Sequence, residues 1–224
     1  MTNNTEFTSP LWVKNAPFVR LIQSLTAICV VLLMLLLCGS CSADLESDTV
    51  PLRKEQEVVH KTDGRSVKLG NTLPIALDMN EDGYVDFTVF IELMANAGGD
   101  HLFFGVNPIG PNLIKSGPHV DHNFLNMGYL VAEAPKTTIT TTLSENQQWT
   151  NEHSALLVKR MADYCQTSYE GAWINGSQVV AIQLFQGEQH HLGWLRISIN
   201  KETNEATLVE YAYQTVAGAP ITLD

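Results

Sequence analysis

Basic residues are scarce in this sequence of 224 residues. It contains 13 Lys and Arg against 24 Asp and Glu, which gives a formal net charge of -11. Proteins that bind nucleic acid neutralise its phosphates with clustered Lys and Arg side chains. We therefore expect no nucleic-acid partner. The acidic balance instead suits an exported protein that holds a divalent cation.

Cysteine is almost absent outside the N-terminal region. Cys29, Cys38 and Cys41 lie in the first 41 residues, which leaves Cys165 alone in the rest of the chain. A disulfide within the part that follows residue 41 is therefore excluded. A folded domain there depends on its hydrophobic core, and a content of 45% hydrophobic residues is ordinary for such a domain.

The sequence also lacks a recognisable nucleophile motif, because no Gly-x-Ser-x-Gly elbow occurs in it. We therefore predict that the protein is not an enzyme but a surface binding or structural module, with a glycan or a surface protein as its ligand. The alternative is an extracellular, carbohydrate-active hydrolase that uses loop carboxylates or histidines. Glycoside hydrolysis depends on the separation of two carboxyl groups, which a sequence does not reveal.

Four histidines form two close pairs. His119 and His122 flank Asp121 in a segment rich in Pro, Gly and Asn, and His190 precedes His191 directly. Two imidazoles and a carboxylate are a donor set for zinc. Adjacent residues of a strand face opposite sides of the sheet, however, so His190 and His191 are not expected to share a ligand. Solvated loop histidines are the simpler interpretation.

One hydrophobic run lies near the N-terminus. Its apolar centre covers residues 27–38 and is too short for a comfortable membrane span, but it has the length of a signal-peptide core. Gly39, Ser40 and Cys41 follow, which resembles a bacterial lipoprotein signal with Cys41 as the lipidated residue. An uncleaved anchor helix or a plain secretory signal are the alternatives. All three place residues 42–224 outside the cytoplasm. The first two attach the chain to the cell envelope, at the outer membrane or the cell surface.

The segments after residue 41 differ in pattern. Residues 42–70 are polar without a clear period, which predicts a flexible tether; a short edge strand around Val67-Lys68 or a helix through Glu55–His60 is the alternative. Residues 71–224 form the predicted domain. Apolar residues alternate with other residues from Tyr84 to Met94, and they do so again in three C-terminal segments, Gln178–Phe185, His191–Asn200 and Ala206–Gln214. A period of two is typical of strands, and short connections indicate an antiparallel meander.

This pattern predicts an all-β fold, an antiparallel sandwich or jelly-roll with at most one or two short helices. The segment Asn151–Tyr164 is the exception. Its apolar residues recur at helical spacing, so it is predicted to be a short helix or an irregular crossing.

A loop with alternating oxygen side chains precedes the first of these strands. Asp78, Asn80, Asp82 and Asp86 stand at positions one, three, five and nine of a D-x-N-x-D-G-x-x-D pattern, and Tyr84 offers a main-chain carbonyl at position seven. Calcium prefers oxygen ligands in this order. Position twelve is not Glu, so the loop is not an EF-hand, and we expect a weak structural Ca²⁺ site. The alternative is a tight turn in which Asp and Asn cap their own backbone.

Several motifs together resemble a family of exported bacterial β-proteins of unassigned function. They are the loop Asp78–Phe87, the sequence Gly193-Trp194-Leu195-Arg196-Ile197-Ser198, the sequence Val209-Glu210-Tyr211-Ala212-Tyr213, and Ala219-Pro220-Ile221. The resemblance implies a single all-β domain on an exported protein without an assigned catalytic activity.

Overall fold

The computed structural model of the protein describes residues 57–70, 73–96, 99–119, 127–162, 166–173 and 176–223. Within these ranges the regular elements are all β-strands, so the predicted all-β class is confirmed. The strands are β1 (Val58–Thr62), β2 (Ser66–Lys68), β3 (Ile75–Leu77), β4 (Phe87–Asn96), β5 (Gly99–Pro108), β6 (Leu113–His119), β7 (Gly128–Leu130), β8 (Ala132–Glu133), β9 (Thr138–Ile139), β10 (Gln148–Thr150), β11 (Ser154–Ala162), β12 (Gln166–Gly171), β13 (Ser177–Gln186), β14 (Gln189–Asn200), β15 (Glu205–Gln214) and β16 (Ile221–Thr222). The predicted signal segment 1–41 and Cys41 lie outside the described residues.

Most of these strands belong to one 14-stranded sheet. Its order is β1-β15-β14-β13-β6-β7-β11-β5-β4-β3, with β2, β8, β10 and β12 paired to members of this path, while β9 and β16 pair with each other. The described pairs are antiparallel, as predicted, with one exception. Strands β7 and β11 are parallel, with Ser154 opposite Gly128.

The sheet folds over so that its two ends enclose the main core. β4, near one end, lies against β15, near the other. Arg65 Nη1 donates a hydrogen bond to the carbonyl of Ala76 at 2.7 Å and thereby joins the two ends. The buried core contains Phe87 from β4 and Leu208 from β15. The result is a sandwich-like domain whose two layers are parts of one continuous sheet.

The C-terminal meander is present as predicted. β13, β14 and β15 are consecutive neighbours, and Gln186 pairs with Gln189 across a two-residue turn. The turn residues Gly187 and Glu188 both have positive φ, at 58° and 64°. This is the geometry of a type I′ turn, whose twist matches that of the strands it connects.

The predicted tether is wrong for its C-terminal part. Val58–Thr62 and Ser66–Lys68, both within residues 42–70, form β1 and β2 and pair with β15. Val67 is buried in the main core. The polar composition of this stretch fits edge strands that expose most of their side chains. The strands form because they pair with β15, which is about 140 residues away in sequence.

The predicted helix within Asn151–Tyr164 is also wrong, because β11 covers Ser154–Ala162. The register of β11 against β5 shifts between Ala155 and Leu157, which marks a β-bulge at Leu156. Leu156 and Leu157 therefore both enter the main core, whereas Ala155 and Val158 join a separate cluster on the other face of the sheet. A bulge breaks the period of two, and the resulting pattern imitates helical spacing.

Candidate functional site

The predicted cation loop connects β3 to β4 and is closed at its base by strand pairing. Leu77 pairs with Phe87, and the Asp86 N–H donates to the Leu77 carbonyl at 2.8 Å. Leu77, Phe87 and Met79 are buried. The strand therefore begins at Phe87 and not at Tyr84, which is 77% exposed. The loop stands on a rigid base, with Met79 as an anchor that the sequence pattern did not reveal.

Side-chain oxygens of the loop turn inward onto its own backbone. The Asp78 carboxylate accepts hydrogen bonds from the N–H groups of Asp82 at 3.2 Å and Gly83 at 2.8 Å. Asp82 Oδ1 accepts from the Tyr84 N–H at 2.9 Å, and Asn80 Nδ2 donates to Asp82 Oδ2 at 3.0 Å. Such bonds are what a capped turn requires. Each carboxylate oxygen has a second lone pair, so these bonds leave room for a cation.

Asp86 lies behind the loop and is only 5% exposed. Its Oδ2 accepts from the Met79 N–H at 2.8 Å, and its Oδ1 accepts from Asn112 Nδ2 at 3.1 Å. Burial raises the pKa of Asp86, its two hydrogen bonds oppose that rise, and the negative charges of Asp82 and Asp78 add to it. The three carboxylates are thus electrostatically coupled, and a cation near them would favour the ionised form of Asp86.

Asp78, Asn80, Asp82 and Asp86 all belong to this loop, but their carboxylates alone do not form a complete set of metal ligands. Within the described residues, no three His, Cys, Asp or Glu side chains are grouped as metal ligands. Calcium takes about 6–8 oxygen ligands. The residues present fit the ion only if the Asn80 amide oxygen, the Tyr84 carbonyl and water complete the set.

Two residues outside the motif complete the surroundings of the loop. Lys61 Nζ of β1 forms an ion pair with Glu81 Oε1 at 2.7 Å, and this hydrogen bond raises the pKa of Lys61. Asn112 donates from Nδ2 to Asp86, while its Oδ1 accepts from the Phe185 N–H at 2.6 Å. Asn112 therefore links the loop to the end of β13. It lies in a Pro- and Gly-rich segment where Asn is ordinary, so no local signal indicates this role.

The C-terminal histidines lie at the same end of the domain. His190 and His191 face opposite sides of β14, as predicted: His190 packs edge-on against Phe185 at 5.2 Å, whereas His191 lines a cleft with Tyr213. Burial raises the pKa of the Tyr213 phenol, and the charges of the loop also act on it. The side chain of His119 and the whole of His122 lie outside the described residues.

Three large aromatic side chains lie in the interior of the domain. Trp173, Trp194 and Tyr211 are buried. The Trp173 indole N–H donates to the Ile197 carbonyl at 3.0 Å, which satisfies its only donor. These three side chains are therefore part of the core and form no binding platform.

No protein-family model matches the chain, and no curated protein and no solved structure matches it significantly. In the part of the chain that the structure describes, no helix has the length and hydropathy needed to cross a membrane.

Proposed function

We propose that the protein is an exported, membrane-anchored β-sandwich module, without catalytic activity, whose Asp78–Asp86 loop holds a structural Ca²⁺ ion. The observation that carries this proposal is the loop itself. Asp78 and Asp82 lie near the surface, and Asp86 lies behind them against the core. At neutral pH three carboxylates in so short a segment repel one another, and a cation would relieve that repulsion.

A bound ion would stabilise the folded domain. The loop leads directly into β4, which pairs with β5 over its whole length. An ion that binds only the folded loop stabilises the domain by mass action. A site with three carboxylates, one amide and no bidentate Glu belongs to the weak extracellular range, with a Kd on the order of 0.1–1 mM.

The test is a thermal melt of the full-length protein in detergent, in EDTA and in calcium. With a Kd of about 0.1 mM, about 1 mM calcium adds roughly 1.4 kcal/mol. This corresponds to a rise in Tm of about 3–5 °C for a domain of this size. The matched variant Asp82→Ala should lose the calcium-dependent rise but remain folded, since it removes one repelling carboxylate. A wild-type Tm that is the same in both buffers would refute the calcium site.

Membrane attachment is proposed through the lipid on Cys41, from the sequence pattern before it. Labelling of cells with a palmitate analogue should mark the wild-type protein and miss the variant Cys41→Ala. Equal labelling of both proteins would remove the lipid anchor from this proposal and leave an uncleaved N-terminal helix or a plain secretory signal as the alternatives.

A further inference from the structure

A cleft of about 500 Å³ borders Tyr213 of the main core. It lies between the β13–β14 turn and the segment that follows β15, and its polar side chains are Gln186, Gln189, His191, Tyr213 and Thr215. None of these side chains carries a fixed charge. The volume is within the usual range for small-molecule sites, roughly 300–1,000 Å³.

His191 is a buried polar group directed at this cleft. It is only 8% exposed, and its Nδ1 lies 2.9 Å from the Gln214 carbonyl oxygen. A carbonyl oxygen only accepts hydrogen bonds, so His191 Nδ1 donates to it, and the main chain holds the ring in one orientation. Nε2, on the other side of the ring, is the atom left to bond a ligand in the cleft.

Tyr213 adds a second buried polar group. Only 7% of its surface is exposed, and it lines the cleft beside His191. The amides of Gln186 and Gln189 both donate and accept, as does the hydroxyl of Thr215. The cleft therefore offers both donors and acceptors of hydrogen bonds.

We infer that this cleft binds a neutral carbohydrate unit. Sugar hydroxyls both donate and accept hydrogen bonds, as the polar groups of the cleft do. A charged ligand would lose water there without meeting a charged side chain in the lining of the cleft, which is unfavourable. This inference rests on the proposed function as a surface binding module and names the ligand class of that module.

The cleft adjoins the cation loop through Asn112. Phe185, whose N–H donates to Asn112, directly precedes Gln186 of the cleft, and the same asparagine donates to Asp86. Binding is therefore measured in EDTA and in calcium, so that the two proposals are separated. If the protein binds a carbohydrate but its Tm does not depend on calcium, the proposed calcium site is refuted and the proposed carbohydrate site is not. If its Tm depends on calcium but no carbohydrate binds, the carbohydrate site alone is refuted.

The experiment uses the full-length protein in a zwitterionic detergent, since glycoside detergents would compete. Saturation-transfer NMR and calorimetry are run with the methyl glycosides of glucose, galactose, mannose and N-acetylglucosamine. Methyl glucuronide and glucosamine serve as charged comparators. We expect binding of at least one neutral glycoside in the millimolar range, at least tenfold tighter than that of either charged sugar.

Two variants test the site itself. His191→Phe and Gln189→Ala should each weaken binding roughly tenfold, which is the loss of about one hydrogen bond. His153→Ala, in a separate cleft beside β4, should bind as the wild type does. If His191→Phe does not fold, Gln189→Ala decides alone, because that side chain is exposed. The absence of binding by all four neutral glycosides, equal binding of a charged sugar, or unchanged binding by Gln189→Ala would overturn the inference.

Discussion

Removal of the Asn112 side chain is expected to destabilise the domain more than any other substitution of an amide near the loop. Asn112 is 4% exposed. Its Nδ2 donates to Asp86 Oδ1 at 3.1 Å and to the Ile109 carbonyl at 2.9 Å, and its Oδ1 accepts from the Phe185 N–H. In Asn112→Ala, a buried carboxylate loses a donor and a partly buried N–H loses its acceptor.

The expected magnitude follows from these losses. A buried polar group left unpaired costs about 1–3 kcal/mol, and more if it is charged. With Asp86 and the Phe185 N–H affected together, we expect the free energy of unfolding to fall by about 3–5 kcal/mol. A urea m-value of about 2 kcal/mol per M then lowers the midpoint of unfolding by roughly 2 M.

The measurement is urea unfolding in EDTA, followed by tryptophan fluorescence. Asn80→Ala is the matched control. It removes an amide side chain from the same loop, but the hydrogen bond of that amide to Asp82 is exposed to solvent. Its cost should stay at or below about 1 kcal/mol. Equal costs for the two variants would show that Asn112 does not hold the loop to β13, and the argument from buried pairing would be wrong.

Two further predictions concern ionisation and packing. Because burial raises the pKa of Asp86, its contribution to stability in EDTA is complete below the usual carboxyl pKa and is lost as the pH rises through the raised value. In urea titrations, the unfolding free energy of the wild type minus that of Asp86→Asn should therefore decrease between about pH 3 and about pH 7. A difference that stays constant over this range would contradict the prediction. Gly193→Ala should cost about 1–3 kcal/mol in the same assay, since its Cβ would lie 2.5 Å from the Ala212 carbonyl. Gly117→Ala, whose nearest contact is 3.4 Å, should cost clearly less, and equal costs would argue against steric exclusion at Gly193.

Several elements were predictable because their signal is local. The β13–β15 meander has apolar residues on alternate positions, and its turns carry residues that tolerate positive φ, Gly187 and Asn204. The oxygen pattern of Asp78–Asp86 likewise indicated a loop in which side chains bond to nearby backbone groups. Each of these features depends on residues within about ten positions of one another, so the sequence alone determined them.

Other features could not be predicted from the sequence because they depend on pairing with a strand that is distant in sequence. Leu156 and Leu157 share a face only because a bulge is needed to match β11 to β5. Val58–Thr62 is a strand only because β15 offers its free edge. Neither requirement is visible in the segment itself, since strand pairing joins residues that are remote in sequence.

The sequence by itself determined that the protein is all-β, where its C-terminal strands lie, and which loop carries its clustered carboxylates. Only the tertiary structure decided that Asn112 connects Asp86 to Phe185, and that His191 and Tyr213 meet in one cleft. The physical reason is the folding of one long sheet onto itself. Hydrophobic alternation specifies which face of a strand is buried, but the folding of the sheet onto itself specifies which side chains from distant strands become neighbours.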